Sequence, residues 1–244
     1  MNNIIGERLK NFRMQKGLTQ QKLELAIGAS FGHISKVESG QINPTKETLL
    51  KIVEVLKLTE EEAVFLLGLN LDKVSKEEIQ EVIKNTKEYL ENSKYPSYLQ
   101  DDYFFVHSWN KKMLDLLGVN SLLATLFRGK NSLEMMLQPQ FKKIMSKERW
   151  EKLFQDDLVF FMKSVNYPLF KHNKVLKEIL NILDKYPEFK EHWNKALARY
   201  SETIVCGENL IYFNRENKEV CYYMSVINLV RYPRFRIVEY IPIS

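Results

Sequence analysis

Apolar positions in the first quarter of the chain recur at helical spacing in short blocks, each closed by a residue that stops a helix. Ile5, Leu9 and Phe12 form the first block, and Gly17 ends it as a C-terminal cap. Thr19 is placed as the N-cap of a second helix with Leu23, Ala26 and Ile27 on its apolar face, and Gly28 terminates it. Ser30 suits the N-cap of a third helix, which turns Ile34 and Val37 inward and closes at Gly40. Asn43-Pro44-Thr45 breaks the chain again. Leu49, Leu50, Ile52, Val53 and Leu56 then predict a fourth helix, and a fifth runs from Glu60 to about Leu67, its glutamates where the helix dipole favours negative charge.

Further along, the blocks lengthen and then change period. From Ser75 to about Asn92 a Lys- and Glu-rich segment carries Ile79, Val82, Ile83, Thr86, Tyr89 and Leu90 on one stripe. This helix has two candidate partners, its counterpart in a second subunit or the C-terminal part of its own chain. Tyr95-Pro96 marks a boundary. Tyr103 to Ser108 reads as a strand, and Asn110 as the N-cap of a helix with Met113, Leu114, Leu116 and Leu117. Helices are predicted over 149–163, 174–183 and 188–198. Four aromatic and β-branched strands follow, at Thr203 to Cys206, Leu210 to Phe213, Val220 to Ile227 and Phe235 to Ile241, with Asn214 to Asn217 as a hairpin connection. Strands flanking a helical middle predict an α+β domain, an antiparallel sheet with a helical insertion, covered on one face. The fold class is therefore mixed, an all-α five-helix domain followed by an α+β domain.

Composition agrees with a folded chain. The 244 residues carry 36 Lys and Arg against 31 Asp and Glu, a formal charge of +5, and 45% are apolar. That length suits two domains better than one. The longest apolar runs, Ala63 to Leu67 and Leu158 to Met162, are far short of the ~20 residues of a membrane span. Because the first residues also lack the order of a secretory signal, a cytoplasmic protein without a membrane partner is expected. Cys206 and Cys221 sit at no metal spacing and read as buried thiols in strands.

The second and third helices, joined by a tight glycine turn, make a helix-turn-helix. Gly17-Leu18-Thr19-Gln20-Gln21-Lys22-Leu23, then Ile34-Ser35-Lys36-Val37-Glu38-Ser39-Gly40, then Asn43-Pro44-Thr45 and Thr48-Leu49-Leu50-Lys51-Ile52 resemble the xenobiotic-response-element (XRE), lambda-repressor-like family. The resemblance implies a DNA-binding domain over residues 1–70, its third helix in the major groove of a double-stranded operator, acting as a homodimer on two half-sites. Residues at the start and outer face of that helix reach base edges, which selects Ser30, Phe31, Gly32, His33, Ser35 and Lys36. Lys36 is either a donor to guanine or a phosphate clamp, Phe31 suits a thymine methyl, and Ser35 suits either base type. Gly32, inside the predicted helix, costs about 1 kcal/mol relative to Ala; close approach to DNA and neutral drift both account for it. Arg13, Lys16 and Gln20 are placed on phosphates, and Thr19 is also taken as a DNA-binding residue. Up to Lys57 the segment holds 9 basic residues against 5 Glu, a surplus that suits DNA.

In the C-terminal part, Tyr95-Pro96-Ser97-Tyr98, Asp101-Asp102, Ser108-Trp109-Asn110, Leu126-Phe127, Tyr186-Pro187-Glu188-Phe189-Lys190-Glu191-His192-Trp193 and Arg236-Ile237-Val238-Glu239-Tyr240 resemble the MmyB-like ligand-binding domain. That resemblance implies a PAS-like fold over residues 96–244, with residues 71–95 as a linker helix. The stretch after Thr203, where many members carry a His-Pro pair, departs from the family. A PAS-like sheet under helices encloses an apolar cavity, and Tyr103, Phe105, His107, Trp109, Met135, Met136, Phe160, Tyr212, Tyr222 and Met224 are candidates to line it or to pack the core. These aromatic and Met side chains suit a small apolar ligand such as a fatty acid.

Catalysis is not expected. His33, His107, His172 and His192 are scattered, and no phosphate loop, nucleophile elbow, triad context, metal motif or cofactor motif is present. The leading expectation is a transcriptional regulator, with repression as the expected direction, whose C-terminal domain senses a small molecule. The alternatives are a peptide-responsive regulator with an all-helical repeat domain and an antitoxin-like regulator whose C-terminal domain binds a protein.

Overall fold

The structure is a computed structural model and describes residues 4–68, 72–167, 170–200, 210–215 and 218–243. The predicted strand at Thr203 to Cys206, the thiol of Cys206, and Glu216 and Asn217 of the hairpin connection lie outside the described residues. The chain divides into two compact units, Met1–Asp72 and Lys73–Ser244.

The first unit is all helical: α1 (Ile4–Gln15), α2 (Gln20–Ile27), α3 (His33–Glu38), α4 (Lys46–Val55) and α5 (Glu60–Leu67). Local chemistry sets most of these boundaries. The Thr19, Thr45 and Thr59 hydroxyls accept from the N–H groups of Lys22, Thr48 and Glu62, and Glu62 returns the bond to Thr59 N–H in a capping box. Leu9, Leu23, Ile34, Val37, Ile52 and Leu66, at most 1% exposed, form the core. The third helix starts later than its sequence suggests. Gly32, not Ser30, is its N-cap, with φ +79°, so glycine stands there because the turn demands a left-handed backbone.

In the second unit, α6 (Lys76–Asn92) precedes β1 (Ser97–Asp101) and β2 (Val106–Trp109). Helices α7 (Lys111–Leu117), α8 (Ser121–Phe127), α9 (Ser132–Met136), α10 (Pro139–Lys142), α11 (Lys147–Ser164), α12 (Lys174–Leu183) and α13 (Phe189–Ala198) follow. Strands β3 (Leu210–Arg215), β4 (Lys218–Asn228) and β5 (Phe235–Pro242) complete a five-stranded sheet of order β2-β1-β5-β4-β3, antiparallel throughout. The strand predicted over Tyr103 to Ser108 is half turn: Asp101 Oδ1 accepts from the N–H groups of Tyr103 and Phe105, so pairing resumes only at Val106. Ser97 to Asp101, unassigned in sequence, forms β1, paired between β2 and β5. This sheet-bearing unit excludes an all-helical repeat domain.

Alternation along β5 covers the sheet on both faces, where one was expected. Phe235 and Ile237, with Leu99 of β1, pack against Val82 and Leu90 of α6. Each such apolar side chain contributes about 1.5–3 kcal/mol when fully buried. The α6 stripe thus meets its own chain. The opposite face, through Ile211, Phe213 and Tyr222, joins the larger core built by α9, α11, α12 and α13. Cys221 lies in β4 as expected and is half-buried.

Candidate nucleic-acid interface and apolar cavity

Two buried carboxylates hold the helix-turn-helix together. Glu38, at the end of α3, accepts from Arg13 Nε at 2.6 Å and Nη2 at 2.9 Å and from Gln20 Nε2 at 2.7 Å, while Arg13 Nη1 donates to Leu18 O at 2.7 Å. The bond to Glu38 raises the Arg13 guanidinium above its ordinary range despite its burial. Glu24 of α2, 4% exposed, accepts from Ile34 N–H at 2.9 Å and so caps the start of α3 in place of a serine. Neither glutamate was a candidate from sequence, although an acid beside Leu23 and Ile27, or beside Val37, on an inward stripe is the signal that marks one.

This scaffold redistributes the candidates. Arg13 is buried and committed to Glu38, so it is an internal clamp rather than a phosphate ligand. Gln20 spends its amide nitrogen on the same carboxylate. His33 turns inward: its Nε2 is buried without a hydrogen-bond partner among the described residues. Gly32 supplies backbone geometry. Thr19 is exposed, with its hydroxyl on the α2 cap, and Lys16 Nζ lies 3.7 Å from Glu62 Oε2, a loose pair. Ser30, Phe31, Ser35 and Lys36 remain exposed on the outer side of the turn and of α3, opposite buried Ile34 and Val37. Phe31 is 82% exposed, so most of its ring is left uncovered by the unit.

In the second unit a cavity of about 90 Å³ lies between the sheet and α7, α9, α10 and α11, and a groove of about 490 Å³ runs along α11, β3 and β4. Trp109, Met135 and Met136 line the cavity; Phe160, Tyr212 and Met224 line the groove. The other four ligand candidates line neither. Tyr103 is buried with its hydroxyl 3.3 Å from Asn173 Oδ1, and His107 is buried with Nε2 2.9 Å from Asp101 Oδ2 and its ring against Phe235. Phe105 lies beneath the Lys73 ammonium, and Tyr222 packs edge-on to Phe213 in the core. Sequence reading passed over Asp157 of α11, which faces both spaces and whose carboxyl burial and Asp156 push up to about 7. Nearby, Tyr98 and Tyr240 share a hydrogen bond, and burial raises both phenols.

With these geometries in place, two similarities to known proteins stand out. Residues 9–62 match the family model described as Helix-turn-helix. A protein of Sinorhizobium fredii (strain NBRC 101917 / NGR234), described as the uncharacterized HTH-type transcriptional regulator y4dJ, is 34% identical over 64 residues, which cover 26% of this chain and 83% of that protein.

Proposed function

The chain belongs to the HTH-type transcriptional regulators, and on that premise we propose that it is a sequence-specific DNA-binding regulator in which Ser30, Phe31, Ser35 and Lys36 read an operator. The supporting observation is the sidedness of α3, with exposed Ser35 and Lys36 behind exposed Ser30 and Phe31, and with Ile34 and Val37 in the core. In the major groove Lys36 donates to guanine O6 or N7, Phe31 meets a thymine methyl, and Ser35 hydrogen-bonds either base type. Thr19 and Lys16 face phosphates, which fix register without reading sequence. The protein acts as a homodimer. Selection from randomised duplexes tests this: two enriched half-sites about 34 Å apart, or a multiple of that, are expected, and no enrichment refutes base reading.

The second unit is the sensing domain, of the MmyB-like, PAS-like kind. In its favour are the antiparallel sheet beneath a helical layer and the cavity between them. A small molecule with an apolar body occupies that cavity, a fatty acid being one candidate, and shifts operator affinity. Coupling of this kind is typically ~1–3 kcal/mol, or ~5- to 150-fold. Native mass spectrometry of protein purified without added ligand tests the sensing role and the subunit count together. A dimer carrying a discrete extra mass supports the reading.

A further inference from the structure

The cavity beneath the sheet has aromatic walls and a single charged group. Tyr98 of β1, Trp109 of β2, Trp150 of α11, Phe213 of β3 and Tyr240 of β5 enclose it, and Asp157 is the one charged side chain among the described residues that line it. Asp157 also lines the neighbouring groove, so its carboxylate stands where the two spaces meet. The groups around it are otherwise engaged. Asp156 pairs with Arg199 at 3.0 Å. Arg236 attracts Asp157 from β5, but its guanidinium lies over Phe104 and Phe160, 4.4 and 5.1 Å from the ring centres. With the Gln100 amide turned so that its oxygen faces β5, that oxygen accepts from Arg236 Nε at 2.8 Å. Tyr98 and Tyr240 bond to each other, and no hydrogen bond holds the Asp157 carboxylate among the described residues.

A half-buried carboxylate among aromatic rings and without a donor is costly, and aromatic faces attract a cation that has lost its water. The geometry points to an organic cation as the occupant: an amine whose ammonium sits on Asp157 and whose small apolar body fills the cavity between the aromatic rings. This rests on the sensing role proposed above and changes the class of ligand, since inside the cavity the one charge a fatty acid's carboxylate would meet is that of Asp157, while the cations Arg149, Lys152 and Arg236 line the groove outside it. About 90 Å³ leaves room for such a body, given that a single water needs ~10–15 Å³. The site is also pH-gated. Asp157 is half protonated near pH 7 when empty, and an ammonium draws it toward the charged form. Facing Asp157 are Asp156 on its own helix, Tyr98 of β1, and Tyr240 and Arg236 of β5, and the groove beyond it is lined by Arg149 and Lys152 of α11, Tyr212 of β3 and Tyr223 of β4. The Tyr98 and Tyr240 phenols are held above their usual range, and the cavity residues from α7, α9 and α10 carry no titratable group.

Calorimetric titration of the full chain with hexylamine, 1-hexanol and hexanoate tests the assignment at about pH 6 and about pH 8, on either side of the Asp157 transition. At the higher pH hexylamine is expected to bind ~10-fold or more tightly than the other two, the yield of a charge-assisted hydrogen bond. That preference shrinks at the lower pH and is lost in Asp157→Asn. Should the variant fail to fold, the pH comparison on the unaltered chain still decides. Tighter binding of hexanoate, or hexylamine binding indifferent to pH and to the substitution, overturns the amine assignment while leaving the cavity a ligand site. Binding of none of the three overturns the sensing role as well.

Discussion

Arg13 and Glu38, 25 residues apart in sequence, meet in a two-point ion pair with side chains 10% and 4% exposed, which ties the end of α1 to the end of α3. The same carboxylate receives Gln20 from α2, so one buried group sets the mutual placement of all three helices. Removing one partner leaves the other charge buried. Glu38→Ala is therefore expected to lose about 3–5 kcal/mol, read by denaturant unfolding, whereas loss of operator binding at undiminished stability would assign Glu38 to DNA instead. Arg13→Lys should recover little, because an ammonium cannot make the two-point contact.

At Gly32 the positive φ carries the requirement, and a Cβ there would meet nothing within 4 Å. Gly32→Ala is expected to cost about 1–2 kcal/mol of stability through backbone strain alone. Operator affinity per folded molecule should hold, as a gel-shift titration normalised to folded fraction would report. A large affinity loss at unchanged stability would restore close backbone approach to DNA as the reason for glycine.

Lys36 and Phe31 are exposed, so their replacement should barely move the unfolding midpoint, by about 0.5 kcal/mol or less. Lys36→Ala is expected to cost about 1–3 kcal/mol of operator binding and to relax preference at one base pair. Equal losses on operator and scrambled DNA would identify a phosphate contact. Phe31→Ala should weaken binding to sites with thymine at the contacted position more than to sites without it.

Because the Asp157 carboxyl is raised to about 7, the folded chain holds a proton that the unfolded chain releases at lower pH. Stability attributable to Asp157 is thus full below its ordinary value, falls as pH rises toward about 7, and is absent above it. Thermal melts across this interval should show the decline, and Asp157→Asn should flatten it. A profile unaltered by the substitution would place the titration elsewhere.

Much of this fold is legible in local sequence. Thr19, Thr45, Thr59, Ser75 and Asn110 each cap the helix that follows, and the helices predicted over 149–163, 174–183 and 188–198 lie within two residues of α11, α12 and α13 at each end. Strand β1 was hidden because Ser97, Gln100 and Asp101 are buried polar residues, satisfied by partners that composition does not show. The outer face of α3 was legible too, since helical period alone separates Ser35 and Lys36 from Ile34 and Val37.

What the sequence by itself determined is short in range: caps, stops, periods, and the recurring motifs of the helix-turn-helix. Each depends on residues within a turn or two of one another, so a local pattern encodes it even though packing supplies most of the stability. Tertiary structure alone decided that Arg13 is an internal clamp, that His107 and Tyr222 are core, and that Asp157 stands beside Tyr98 and Tyr240. The first pairing joins two helices through residues 25 apart, and the last joins β1 and β5, from opposite ends of the second unit, to α11 between them. Burial changes the chemistry of a carboxylate or guanidinium only once packing has excluded water around it, and no local pattern encodes that event.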